Sequence, residues 1–219
     1  MKVVPIINVA DSSELVKRVE LISQLYSKFP QDQKRVQIDV ADGSFTNGYA
    51  NWKNVQDFIE LETAKDFFIE VDALLLNPKE ELKKWIPAGI KRFIFYLETV
   101  PNPDSIIALA KENNIEPVLA FTPATSLGEA AAHLEKVSSC QLLAVNPGLS
   151  GQEFNPSTLE KIIAIRALFP EMSIEIDGGV NNEVAKLCAT SGADTIATSS
   201  FLFNSPDPLK TYEELLAIR

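Results

Sequence analysis

The sequence predicts an α/β fold, a closed (β/α)8 barrel, from three observations. Eight short runs rich in β-branched and aromatic residues alternate with eight longer segments of helical period along 219 residues. No low-complexity or proline-rich stretch interrupts the alternation, so one domain spanning 1–219 is expected. Two of the runs, RVQIDVADG and SIEIDGGV, carry Asp39 and Asp177 where an apolar strand gives way to a glycine turn, the place where a TIM barrel keeps its functional side chains.

Taken in order, the first strand, residues 3–8, feeds SELVKRVELISQLYSKF, and the second, 36–39, feeds WKNVQDFIELE. The third, 67–74, precedes KEELKKWI, begun near Pro78 and closed by Gly89. The fourth, 93–98, leads past Pro103 into DSIIALAKENN, and the fifth, 117–121, into LGEAAAHLEKV. The sixth, 141–146, passes through a glycine-bearing turn to Pro156 and STLEKIIAIRAL. The seventh, 174–177, leads to NEVAKLCATSG with Gly192 at its end, and the eighth, 195–198, to LKTYEELLAIR. Each helical segment can place apolar residues on one stripe. The prolines suit first helical turns and the glycines suit helix ends. An open doubly wound sheet is the alternative, and the count of eight strands favours closure.

Formal charge is −10, from 20 basic and 30 acidic residues spread along the chain, which argues against nucleic acid as a partner. Cys140 and Cys188, each beside apolar residues, suit reduced buried thiols and a cytoplasmic setting. Acidic residues interrupt the first apolar run before a signal-peptide core forms, and no stretch is long and apolar enough to span a bilayer.

Polar residues crowd the strand ends: Asn8, Gln37, Asp39, Asp72, Glu98, Thr122, Asn146, Asp177 and Ser199. Alternation puts Gln37, Asp39 and Ala41 on one face, and likewise Glu70, Asp72 and Leu74, and Glu175 with Asp177, so these faces are expected to line the barrel mouth. Any one of these residues can instead cap a helix or satisfy a loop amide. Asp39 and Asp177 together point to proton transfer. Glycine-bearing turns late in the chain, VNPGLSGQEF, DGGVN and the stretch TSSFLF, let backbone amides approach an anion, as loops after the last strands do for phosphate.

VQIDVADGSF, LLLNP, FTPATSLGEA, AVNPGLSGQEF, IEIDGGVN and GADTIATSSFLF occur in the order and spacing of one family, and from about Val3 to the last helix the chain resembles ribulose-phosphate 3-epimerases. The resemblance implies a ribulose-phosphate-binding type of barrel that inverts C3 of a ketose phosphate through a 2,3-enediolate. Asp39 and Asp177 would serve as acid and base. It also implies a phosphate site at Gly148, Ser150, Gly151, Gly178, Gly179, Ser199 and Ser200, and a homo-oligomer, a dimer or larger. The partner implied is a small sugar phosphate.

The family binds a divalent metal through two histidines and the two aspartates, and here Gln37 and Asp72 stand in the histidine positions. His133, the only histidine, falls in an outer helical segment and cannot replace them. Gln37, Asp39, Asp72 and Asp177 offer oxygen ligands alone, which suit magnesium or manganese better than zinc; a metal-free site is the alternative. Without a cation, three clustered carboxylates require at least one proton among them at neutral pH. Ala41, Leu74 and Leu143 replace family methionines, Ala41 being expected to enlarge the pocket, and Ile6, Ile7, Asn8 and Val9 replace a Ser-Ile-Leu-Ser run. Another isomerase or a lyase on the same barrel, or a phosphosugar-binding protein without turnover, are the competing functions.

Overall fold

The computed structural model describes residues 1–100 and 102–218. Eight parallel strands close on themselves in chain order: β1 Lys2–Ile7, β2 Arg35–Ala41, β3 Phe68–Leu74, β4 Arg92–Tyr96, β5 Glu116–Phe121, β6 Ser139–Leu143, β7 Ser173–Asp177 and β8 Thr195–Thr198. The pairing of β8 with β1, Lys2 opposite Thr195 through Pro5 opposite Thr198, closes the ring and removes the open-sheet alternative.

The helices are α1 Ser12–Lys28, α2 Val55–Ile59, α3 Pro78–Trp85, α4 Asp104–Glu112, α5 Leu127–Leu134, α6 Ser157–Leu168, α7 Asn182–Ser191, α8 Ser200–Phe203 and α9 Pro208–Leu216. Their starts follow capping chemistry. Asp11 accepts from the amides of Ser13 and Glu14, Asn181 from those of Glu183 and Val184, and Ser126 with Glu129 forms a reciprocal capping box. Apolar faces of the helices pack on the outer face of the barrel, where Ile7, Val36, Ile38, Val71, Phe93, Leu119, Ile174 and Ile196 are buried with Leu15, Leu82, Trp85 and Ile162.

Several boundaries differ from the sequence reading. The second helical segment yields only the short α2, followed by a 3-10 turn at Glu62–Ala64. α6 has no clean apolar stripe, since Ile163 and Leu168 are exposed. TSSFLF forms the extra short helix α8 before α9, and Arg219, the end of the last expected helix, lies outside the described residues. Among the described residues, no helix is long and apolar enough to cross a membrane.

The inside of the barrel is unusually polar. At its amino-terminal floor Arg35 bonds Glu70 at 2.7 Å and Glu175 at 2.6 Å, while Arg92 bonds both of these glutamates and Glu116. Glu70 and Glu175 were expected at the mouth. They face inward as expected, but each sits two residues before its mouth aspartate, about 6–7 Å lower at the usual strand rise. Arg35 from β2 and Arg92 from β4 neutralise them there.

Candidate active site

The β2–β3 register sets Asp39 opposite Asp72, and the β6–β7 register sets Leu143 opposite Asp177. Because inward residues alternate along each strand, Gln37, Asp39, Asp72 and Asp177 all converge inside the carboxyl end of the barrel. The Gln37 amide nitrogen donates to Asp39 Oδ1 at 2.9 Å and to Asp177 Oδ2 at 3.0 Å, and lies 3.5 Å from Asp72 Oδ2. One neutral amide therefore joins the two aspartates that the sequence singled out.

The four residues occupy two environments. Asp39 and Asp177 line a cavity that is open to solvent, whereas Gln37 and Asp72 are wholly buried and do not line it. Asp72 Oδ2 accepts from Tyr96 Oη at 3.0 Å and from Gln141 Nε2 at 2.9 Å. Asp39 Oδ2 accepts from Asn8 Nδ2 at 2.9 Å. Asn8 in turn accepts from Tyr49 Oη at 2.5 Å and from Asn51 Nδ2 at 3.3 Å.

Burial pushes the Asp39 carboxyl up to about 6, held back by the hydrogen bonds from Gln37 and Asn8. Burial, reinforced by the charge of Asp39, holds Asp177 well above the ordinary carboxylate range. Asp72 is raised in the same sense, first by burial and then by the charges of Asp39 and Asp177. Three acids within reach of one another thus differ in proton affinity, the condition for one to act as base while another keeps its proton.

The phosphate residues expected from sequence come together in the same cavity. Gly148, Ser150, Gly151, Gly178, Gly179, Ser199 and Ser200 all line it. Glycine is required at the turn after β7. Gly178 and Gly179 have φ of 100° and 67°, and a Cβ on Gly179 would lie 2.4 Å from the Phe154 amide nitrogen. Ser199 has a negative φ of −117°, so the position does not call for the left-handed backbone that glycine supplies.

Other expected site residues have different roles. Glu98 lies in a 3-10 turn after β4 and accepts from the Thr122 amide and hydroxyl, both at 2.8 Å, and from Thr125, so it ties two loops together. Asn8 and Asn146 fall just beyond their strands but line the cavity. The space expected beside Ala41 is filled, because Ala41, Leu74 and Leu143 belong to a buried cluster with Tyr96, against which Phe45 and Tyr49 pack. His133 lies on α5, as expected. Cys140 and Cys188 are free and buried, and burial pushes both thiols up to about 12.

Tyr49, Asn51, Tyr96 and Gln141 are the site residues that sequence reasoning missed. For Gln141 a signal existed, since it alternates with Leu143 on the inward face of β6. Tyr96 shares the corresponding face of β4 with Ile94.

The donor set accommodates a divalent cation. Ligand oxygens of Asp39, Asp72 and Asp177 all lie within 4.8 Å of one another, and Asp72 Oδ1 and Gln37 Oε1 are buried without a hydrogen-bond partner. As oriented, however, Gln37 turns its nitrogen to the carboxylates, so ligation through Oε1 requires the amide to rotate by half a turn.

A family model described as the ribulose-phosphate 3 epimerase family matches residues 2–203. Ribulose-phosphate 3-epimerase of Chlamydia pneumoniae is 33% identical over 190 residues, 84% of this chain and 82% of that protein. The enzyme of the same name from Helicobacter pylori strain J99 is 26% identical over 227 residues, covering 100% of this chain and 98% of its own. Among solved structures, 3-hexulose-6-phosphate synthase from Salmonella typhimurium superimposes with a TM-score of 0.74 at 15% identity, covering 100% of this chain and 98% of that one, a likeness of fold.

Proposed function

Because this chain belongs to the ribulose-phosphate 3-epimerase family of isomerases, we propose that it inverts C3 of a ketose phosphate, D-ribulose 5-phosphate in the first instance, with Asp39 as base and Asp177 as acid. The observation that carries this reading is the joining of Asp39 and Asp177 through Gln37 at the wall of a cavity that glycine turns also line.

In this reading the phosphate sits against the amides around Gly148, Ser150, Gly151, Gly178, Gly179, Ser199 and Ser200, which places the carbon chain toward the acids. Asp39, ionised above about pH 6, removes the C3 proton. Asp177, kept protonated by burial and by the charge on Asp39, delivers a proton to the other face of the planar 2,3-enediolate. For the reverse reaction the two exchange roles. Ile6, Leu74, Leu143 and Val145 line the cavity and keep water from the reacting carbon.

Asp39, Asp72 and Asp177, with Gln37 through its oxygen, would hold a divalent metal, and this all-oxygen set suits magnesium or manganese better than zinc. When bound, such an ion supplies positive charge beside the oxygens that become negative. In the alternative, metal-free arrangement the Gln37 amide holds the two acids in place.

The test is conversion of D-ribulose 5-phosphate to D-xylulose 5-phosphate, with allulose 6-phosphate as the competing substrate. Turnover of either that disappears in Asp39→Asn and in Asp177→Asn supports the reading. Tight binding without turnover would identify a phosphosugar-binding protein instead.

A further inference from the structure

Asn8 follows the last residue of β1 and lines the cavity beside both aspartates. Its amide can point only one way. Asn51 is itself fixed, since its Oδ1 accepts the Ala41 amide at 2.9 Å and its Nδ2 donates to the Asp39 carbonyl at 2.8 Å. That Nδ2, together with the Tyr49 hydroxyl, faces Asn8 Oδ1, and Asn8 Nδ2 faces the Asp39 carboxylate. Turning Asn8 over would set nitrogen against nitrogen and oxygen against carboxylate.

A primary amide nitrogen carries two hydrogens. On Asn8 one goes to Asp39 Oδ2, and among the described residues the other has no partner. Several other donors near the acids are already committed. Gln37 spends its nitrogen on Asp39 and Asp177, Tyr96 and Gln141 bond Asp72, and Gln152 bonds the Asn146 and Leu149 carbonyls. The barrel's two interior arginines are bound to glutamates at its floor. Asn8 is thus the cavity donor that touches the acid/base pair itself.

We propose that Asn8 is a catalytic residue that gives its second N–H to an enediolate oxygen of the bound sugar phosphate, and that Tyr49 is a positioning residue acting through it. The inference rests on the epimerase reading above. Its physical basis is preorganisation: a donor already held by three neighbours needs no reorientation when charge develops on the substrate. The residue that positions the base also marks where charge appears, because the oxygen on C3 is bonded to the carbon from which Asp39 takes the proton.

The test compares wild type with Asn8→Leu, which keeps the size and loses the donor, and with Tyr49→Phe, which keeps the ring. C3 proton exchange gives kcat and KM. Calorimetry gives the affinity for a phosphorylated hydroxamate that mimics the enediolate and for ribitol 5-phosphate, which does not. Removing one such donor lowers kcat by about 100-fold or more, so Asn8→Leu should lose exchange on that scale, with KM little changed. Hydroxamate affinity should fall by a similar factor and ribitol 5-phosphate affinity should stay within about twofold of wild type. Tyr49→Phe should reduce the same two quantities by a smaller factor, leaving ribitol 5-phosphate unaffected. If Asn8→Leu does not fold, Asn8→Ala and Tyr49→Phe decide the matter. Unchanged kcat, or equal losses for both ligands, overturns the proposal while leaving the epimerase reading intact. Absence of exchange in wild type overturns both.

Discussion

Asp39 Oδ1 and Asp177 Oδ2 accept hydrogen bonds from the same atom, Gln37 Nε2, at 2.9 and 3.0 Å. Strands β2 and β7 are far apart in the chain, and the shared donor couples the two acids geometrically and electrostatically. Burial raises both, the charge of Asp39 raises Asp177 further, and a second amide donor, Asn8, holds Asp39 down.

Activity should therefore depend on pH through Asp39. In the proposed mechanism its ionised form is the base, so kcat/KM should fall with unit slope as pH drops through about 6. Asn8→Leu removes a hydrogen bond that favours the carboxylate, and its acidic limb should move to higher pH. A pH profile of C3 exchange for both proteins checks this, and an acidic limb near the ordinary aspartate value would contradict it.

Asp72 gives a prediction about stability. Its folded-state proton affinity is raised above the unfolded value, so the folded state binds the proton more tightly than the unfolded chain. The resulting stability is fully present below the ordinary aspartate range and is lost as pH rises through the folded value. Asp72→Asn keeps acceptors for Tyr96 and Gln141 without a titrating group. Its Tm relative to wild type should be higher at pH 8 than at pH 5, measured by calorimetry without added metal.

The floor of the barrel should be stabilising only as a complete set. Removing one member, as in Arg92→Met, leaves Glu70 and Glu175 with less compensation in a dry interior and should cost about 3–5 kcal/mol in chemical denaturation. A cost below about 1 kcal/mol, the range of exposed ion pairs, would mean that water reaches the floor.

Gly179→Ala should damage phosphate binding. The added Cβ would meet the Phe154 amide and force the loop after β6 to move. KM should rise by about tenfold or more, the equivalent of at least one strained residue, while kcat falls less. An unchanged KM would remove this turn from the phosphate site.

Metal preference can be read without turnover. Manganese binding, followed by its electron paramagnetic resonance signal, should weaken strongly in Asp72→Ala, because that change removes one of the three clustered carboxylates. Equal manganese affinity in the variant would place the ion elsewhere.

Much of this was legible in the sequence. Asp39 and Asp177 stand where apolar strands end in glycine turns, and VNPGLSGQEF with DGGVN carries backbone that only glycine adopts at Gly178 and Gly179. The period of two gave the faces of Glu70 and Glu175 correctly but not their height, since alternation says nothing about which end of the strand a residue occupies. Tyr49 and Asn51 were invisible because they lie in an irregular loop between β2 and α2, where no period predicts direction. Ala41 misled for a related reason: its missing volume is supplied by Phe45, Tyr49 and Tyr96, two of which come from that loop.

The most direct test of the central claim is deuterium incorporation at C3 of D-ribulose 5-phosphate in heavy water. The account predicts incorporation by wild type, and its loss by about 100-fold or more in Asp39→Asn and in Asp177→Asn alike. Incorporation that survives both substitutions, or none in wild type with either ketose phosphate, would contradict the assignment of these two aspartates as base and acid.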